Sequence, residues 1–144
     1  MLENFLYRIC QCRLGWNLQS FIQQSVKEIK EKVGKGMVVA GVSGGIDSLV
    51  AAVLTHKAIG DQLHCIFINN GLLRKGEAEE VQERFKANFK IDLIYVDASE
   101  RFLKRLKGVS DPEIKRKIVG EEFIRVFEEK AKDIGKVEYL LQGT

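Results

Sequence analysis

The chain has 144 residues, 45% hydrophobic and 30% charged, the balance of an ordinary globular domain, and a single domain of this size buries about 70% of its unfolded surface. A net charge of +3 is too small to argue for a nucleic-acid partner. The longest fully apolar stretches are about six residues against the ~20 needed to cross a bilayer, so no membrane partner is expected. Met1-Leu2-Glu3-Asn4-Phe5 lacks the basic start and apolar core of a signal peptide. The three cysteines form no even framework. Cys10 and Cys12 make a Cys-x-Cys pair with no second pair to complete a zinc site, and Cys65 reads as core. A reducing, cytoplasmic compartment is the expectation.

In chain order, residues 1–16 show no clean period and read as a packed lead-in or linker, with Phe5, Leu6, Ile9 and Trp16 apolar and Gly15 breaking the run. Residues 17–144 read as the domain. Asn17 caps a helix over 18–33 with Phe21, Ile22, Val26, Ile29 and Val33 on one face, ended by Gly34 and Gly36. A strand over 37–42 feeds a Gly-rich turn and a helix over 46–59 that carries Leu49, Val50, Val53 and Leu54. Residues 63–68 read as a second buried strand and 69–76 as a loop. A helix over 77–89 follows, its acids Glu77, Glu79 and Glu80 in the first turn, where the dipole favours them.

Residues 93–96 read as a third strand. Asp97 and Glu100 have capping-box spacing before a short helix with Phe102, Leu103 and Leu106. Pro112, the only proline, suits the first position of a long helix to about residue 134. Residues 137–141 read as a fourth strand. Strands alternating with helices predict an α/β fold with a parallel, doubly wound sheet, and the ligand at the C-terminal ends of the strands. Four segments meet there: 43–48, 69–76, 97–100 and 142–144.

The most informative segment is Gly41-Val42-Ser43-Gly44-Gly45-Ile46-Asp47-Ser48-Leu49. Gly44 and Gly45 lack Cβ atoms, so their N–H groups can face a phosphate at close range. The helix beginning at Ile46 adds its unpaired N–H groups and the positive end of its dipole. The Ser43 and Ser48 hydroxyls can donate further. Asp47 would repel a phosphate unless a cation lay between them, which marks it as a Mg2+ ligand. Gly41-x-Ser43-x-Gly45 also fits a hydrolase nucleophile elbow, but His56 and His64 and the acids Asp47 and Asp61 are too local to build a triad. A Walker loop fails, since Gly36 follows the only Gly-Lys pair, Gly34-Lys35. The remaining alternative is a plain Gly-rich turn, which needs neither two serines nor an aspartate.

The Ser43–Ser48 string resembles the pyrophosphate loop of the ATP pyrophosphatases, which cleave ATP between its α and β phosphates. Five further segments narrow the resemblance: 67–77 (Phe-Ile-Asn-Asn-Gly-Leu-Leu-Arg-Lys-Gly-Glu), 96–103, 108–113, 115–120 (Lys-Arg-Lys-Ile-Val-Gly) and 141–144. Together they resemble the synthetase domain of GMP synthase, from about Phe5 to the last residue. That resemblance implies an adenine nucleotide alpha hydrolase-like fold and a C–N bond-forming ligase using ATP and Mg2+. ATP would adenylate the C2 oxygen of xanthosine 5′-monophosphate (XMP), and ammonia from a glutaminase domain or subunit would displace AMP to give GMP. It assigns Ser43, Gly44, Gly45, Ile46, Asp47, Ser48 and Leu49 to the ATP site, with Asp47 as the catalytic and metal residue, Val42 and Ile68 beside the adenine, and Arg116 on XMP. Without it, Lys115-Arg116-Lys117 reads as a solvated helix face, and Arg74 and Lys75 as surface charges. Asn69 stands where many members have an aspartate. Members also continue into a lid loop and a dimerisation domain, so a domain truncated at its C-terminus, homodimeric when full length, is expected. The other readings are a different ATP pyrophosphatase such as NAD synthetase, or a non-catalytic nucleotide-binding fragment.

Overall fold

The computed structural model describes residues 2–12, 17–89 and 91–143, with the Asn88 side chain also left undescribed. The expectations at Gly15, Trp16 and Thr144 therefore lie outside the described residues. Residues 2–12 are all exposed and include a π-helical turn, Asn4–Ile9. Their apolar side chains thus stay out of the core, where a packed lead-in had been an open possibility.

Helix α1 (Leu18–Val33) is capped as its sequence predicts, the Asn17 side chain accepting from the Ser20 N–H at 2.7 Å. Strand β1 is Val38–Val42 and helix α2 is Ile46–Ile59. A 3-10 turn, Gly60–Gln62, leads into β2, Leu63–Asn69. Helix α3 is Glu77–Arg84, and its expected last turn, Phe85–Phe89, winds as a π-helix. Strand β3 (Leu93–Asp97) is followed by α4 (Ser99–Leu106), α5 (Pro112–Ile134) and β4 (Tyr139–Gln142). Asp111 caps α5, accepting from the Ile114 N–H at 2.9 Å, with Pro112 in the first turn.

The four strands form one parallel sheet in the order β3-β2-β1-β4. The chain walks outward from β1 through β3, then returns to the far side of β1. The reversal makes the gap between β1 and β4 the switch point of a doubly wound sheet. Alternate strand residues face opposite layers. Val38, Ala40, Val42, Leu63, Cys65 and Phe67 pack with Ala52 and Ile59 of α2 and with Ala78, Val81 and Phe85 at α3. Val39, Ile66 and Ile68 pack with Phe102 of α4 and Val126 of α5. Phe67, Phe102, Ile66 and Val39 are fully buried, each contributing roughly 1.5–3 kcal/mol by transfer from water. Burial, with the charge of Asp92 adding to it, pushes the Cys65 thiol up to about 12, so this cysteine is core rather than chemistry.

Three local expectations shift. The expected fourth strand begins two residues late. Glu138 and Tyr139 both donate backbone N–H groups to the Met37 carbonyl, and half-buried Val137 packs against the α4–α5 side of the core without joining the sheet. Asp97 and Glu100 do not form a capping box. Asp97 accepts from the Ser99 N–H at 3.0 Å, while the residue before α4 is Ala98, which has no side-chain cap. Val50 of α2 is 49% exposed, since the buried stripe runs through Ser48, Ala52, Thr55 and Ile59.

Candidate functional site

The Ser43–Ser48 loop leaves the C-terminal end of β1 and turns into α2. Gly44 takes φ +77°, a left-handed conformation that costs an L side chain energy. A Cβ there would also lie 2.8 Å from Cγ2 of Val81 on α3. Gly44 is therefore required twice, for the turn and for close packing against α3.

Helix α2 has no side-chain cap at Gly45, and its first intrahelical bond runs from the Leu49 N–H to the Gly45 carbonyl at 3.2 Å. The N–H groups of Ile46, Asp47 and Ser48 precede that bond, as the first turn of any helix demands. The helix thus presents donors and the positive end of its dipole beside exposed Ser43, Gly45 and Asp47, the arrangement that binds phosphates.

The two serines divide their roles. Ser48 is 6% exposed. Its hydroxyl accepts from the Ser43 N–H at 3.2 Å and donates to the Gly45 carbonyl at 3.1 Å. It braces the loop from within instead of facing outward. The Ser43 hydroxyl lies 3.3 Å from Ser48 Oγ and is exposed, so its proton is free to turn to an incoming oxygen. Ile46 is 75% exposed, and Leu49 packs against the α2-side core.

Val42 and Ile68 are both buried at strand ends, but on opposite faces of the sheet. They do not form one side-chain wall at this edge. Gly143 follows β4 and closes on the loop from the other side of the switch point. A Cβ on Gly143 would lie 2.9 Å from Ser48 Cα and 3.0 Å from Ser48 N. The sequence pattern puts 142–144 at the C-terminal edge of the sheet but gives no sign of this close approach.

Beyond β2, Asn69 accepts from the Gly71 N–H at 2.9 Å and donates to the Tyr95 hydroxyl at 3.1 Å. The loop then brings Arg74 and Lys75 to a cleft of about 270 Å³ lined also by Gly44, Glu77, Glu80, Val81 and Arg84. A cleft of about 400 Å³ lined by Lys86 and Asp92 lies before β3, at the opposite end of the sheet from the loop. Arg116 sits on the first two turns of α5, where residues 112–117 are all exposed. Its guanidinium bonds Glu113 on the same helix at 2.6 Å. Further along α5, buried Glu122 accepts from Arg101 Nε and Arg105 Nη1, each at 2.8 Å, and ties α4 to α5. The two guanidiniums, Arg105 foremost, hold the Glu122 carboxyl below its ordinary range.

A parallel doubly wound sheet with a Gly-rich loop at its switch point is the fold of the NAD synthetase-type ATP pyrophosphatases. Residues 16–118 match the profile of the NAD synthase family, and the chain belongs to that family. Its full length is 60% identical to proteins named GMP synthase [glutamine-hydrolyzing] from Ruminiclostridium cellulolyticum, Carboxydothermus hydrogenoformans and Acetivibrio thermocellus. The chain spans 28% of the length of each of these relatives. Among solved structures, an NH3-dependent NAD synthetase from Campylobacter jejuni in complex with the nitrate ion matches with TM-score 0.70 at 17% identity, over 87% of this chain and 56% of that one. NMN synthetase from Francisella tularensis matches with TM-score 0.64 at 20% identity, over 83% and 52%. At these identities the likeness is one of fold.

Proposed function

We propose that the chain is the ATP-using module of a C–N bond-forming ligase of the GMP synthase type. The ATP half of the reading is carried by one observation: left-handed Gly44 and the uncapped first turn of α2 open together at the sheet's switch point. Identity of 60% to GMP synthases along the whole chain supports the XMP half. The C2 oxygen of XMP attacks the α-phosphorus of ATP and pyrophosphate leaves. Ammonia then attacks C2, and AMP departs with that oxygen. The N–H groups of Gly44 to Asp47 and the Ser43 hydroxyl would hold the pyrophosphate oxygens and stabilise the charge that grows on them. Arg116 would meet the anionic end of XMP.

The donor set suits Mg2+. Asp47 offers an exposed carboxylate in the first turn of α2, and no group of three or more acids, histidines or cysteines forms a cage among the described residues. Mg2+ commonly takes one or two carboxylates and completes its shell with phosphate oxygens and water. Asp47 would hold the ion there, and the bound ion would screen the phosphate charge.

A glutaminase domain or subunit as ammonia source, a homodimer of the full-length protein and a cytoplasmic setting belong to the same reading. No described helix is long and apolar enough to cross a membrane. The family profile favours a second reading, amidation of a nicotinate dinucleotide. Pyrophosphate release by the full-length protein separates them. XMP as the trigger is the expected result, and release with nicotinate adenine dinucleotide alone would select the second reading.

A further inference from the structure

The cleft between Gly44 and α3 holds two cations that nothing so far has used. Arg74 and Lys75 are exposed at its mouth. Neither side chain has an ion pair or hydrogen-bond partner among the described residues. The third cation, Arg84, is paired with Glu80 one turn back on α3. Of the two acids that line the cleft, Glu77 reaches toward Gly44. One of its oxygens accepts from the Arg74 backbone N–H at 2.9 Å, and the other lies 3.8 Å from where a Gly44 Cβ would be. With Arg84 and Glu80 paired, Arg74 and Lys75 outnumber Glu77 among the charges left in the cleft lining.

The position of the two cations is built rather than incidental. Asn69 and Asn70 each accept from the N–H two residues on, folding 69–72 into successive tight turns. Gly71 takes φ +75° and fits against Ser99 and Leu103 of α4. Glu77 then ties residue 74 to the start of α3, and Val81 of the same helix is in close packing with Gly44. Each tether fixes the 69–76 loop relative to the anion loop, which lowers the entropy lost when a long side chain is ordered on a ligand.

We infer that Arg74 and Lys75 form the outer wall of the phosphate site, gripping the terminal phosphate of a polyphosphate whose inner phosphates lie on the Gly44–Ser48 loop. The inference rests on the ATP reading above and deepens it. It makes the 69–76 loop a determinant of phosphate number: triphosphates and free pyrophosphate reach the two cations, and monophosphates do not.

The test is calorimetric binding of inorganic pyrophosphate, ATP and AMP, each with Mg2+, to the wild-type chain, to Arg74→Ala/Lys75→Ala, and to Lys57→Ala on the last turn of α2 as a charge control. Circular dichroism checks the fold. The double variant should lose roughly tenfold or more in affinity for pyrophosphate and ATP and keep its affinity for AMP, while Lys57→Ala matches wild type. Arg74→Lys/Lys75→Arg should recover part of the loss. Unchanged pyrophosphate binding in the double variant, or an equal loss in the Lys57 control, overturns the subsite and leaves the ATP reading standing. Wild type that binds neither pyrophosphate nor ATP overturns both.

Discussion

Gly143 lies so close to Ser48 that an added Cβ would sit 2.9 Å from the Ser48 Cα and 3.0 Å from its nitrogen. These are backbone atoms in the first turn of α2 and cannot rotate away. The end of β4 thereby sets where the α2 N-terminus stands, and so the aim of its N–H donors. Gly143→Ala should push the two apart, lowering stability by about 1–3 kcal/mol and weakening ATP. Gly120→Ala is the contrast, since nothing lies within 4 Å of a Cβ there and α5 should gain about 0.5–1 kcal/mol. Thermal melts of both variants should move in opposite directions, and a shared direction would contradict the packing account.

Asp47 and Ser43 should separate by ligand. Asp47→Ala should weaken Mg-ATP more than AMP, because the carboxylate acts through the ion on phosphates that AMP lacks. Ser43→Ala should cost about 1–3 kcal/mol of ATP binding, the range for a hydrogen bond to a charged acceptor. Equal losses on ATP and AMP for Asp47→Ala would remove its metal role.

The Arg116 side chain is 74% exposed, and among the described residues it pairs only with Glu113 on its own helix. Such an exposed pair contributes about 0–1 kcal/mol, so a ligand phosphate can displace Glu113. In the full-length protein Arg116→Ala should raise the KM for XMP and leave that for ATP nearly unchanged. Arg116→Lys should rescue poorly if the contact is bidentate. Wild-type kinetics would return Lys115 to Lys117 to a solvated face.

Glu122 gives the acid limb of stability its sign. Its carboxyl is held low in the fold by Arg105 and then Arg101, so the folded state binds this proton less readily than the unfolded chain. Its contribution is fully present above the unfolded pKa of about 4.3 and is lost as pH falls through the lowered folded value. Glu122→Gln should destabilise by about 3 kcal/mol at pH 7, the low end for breaking a buried pair, because Arg101 keeps Glu129 and Arg105 keeps Glu121. Denaturant titrations between pH 3 and 7 should show a smaller acid-limb slope for the variant than for wild type. An unchanged slope would mean that other carboxylates carry the acid limb.

Much of this architecture is legible in the chain. Asn17 and Pro112 announce helix starts because the chemistry of a helix's first turn is local. The apolar runs at 37–42 and 63–68 announce strands buried on both faces. The glycine string at 41–45 marks the tight turn between β1 and α2 for the same reason, since its conformation is dictated by its own residues. What was not legible depends on contacts distant in sequence. Ser48 turns inward because Ser43 and Gly45 fold over it. Val42 and Ile68 part to opposite faces through the register of β1 on β2, which places Val42 opposite Phe67. Arg74 and Lys75 look like surface charges until α3 brings them beside Gly44. Glu122, on a helix rich in charge, gives no sign of burial until α4 supplies two arginines.

The central claim is that pyrophosphate oxygens sit on the loop between β1 and α2. Amide resonances of the 15N-labelled chain, followed as inorganic pyrophosphate and Mg2+ are added, report on the N–H groups themselves. The account predicts the largest shifts at Gly44, Gly45, Ile46 and Asp47, with AMP producing smaller changes at those amides. Saturating pyrophosphate that leaves these four amides unmoved, or that shifts only residues around Lys86 and Asp92 at the other end of the sheet, would contradict it.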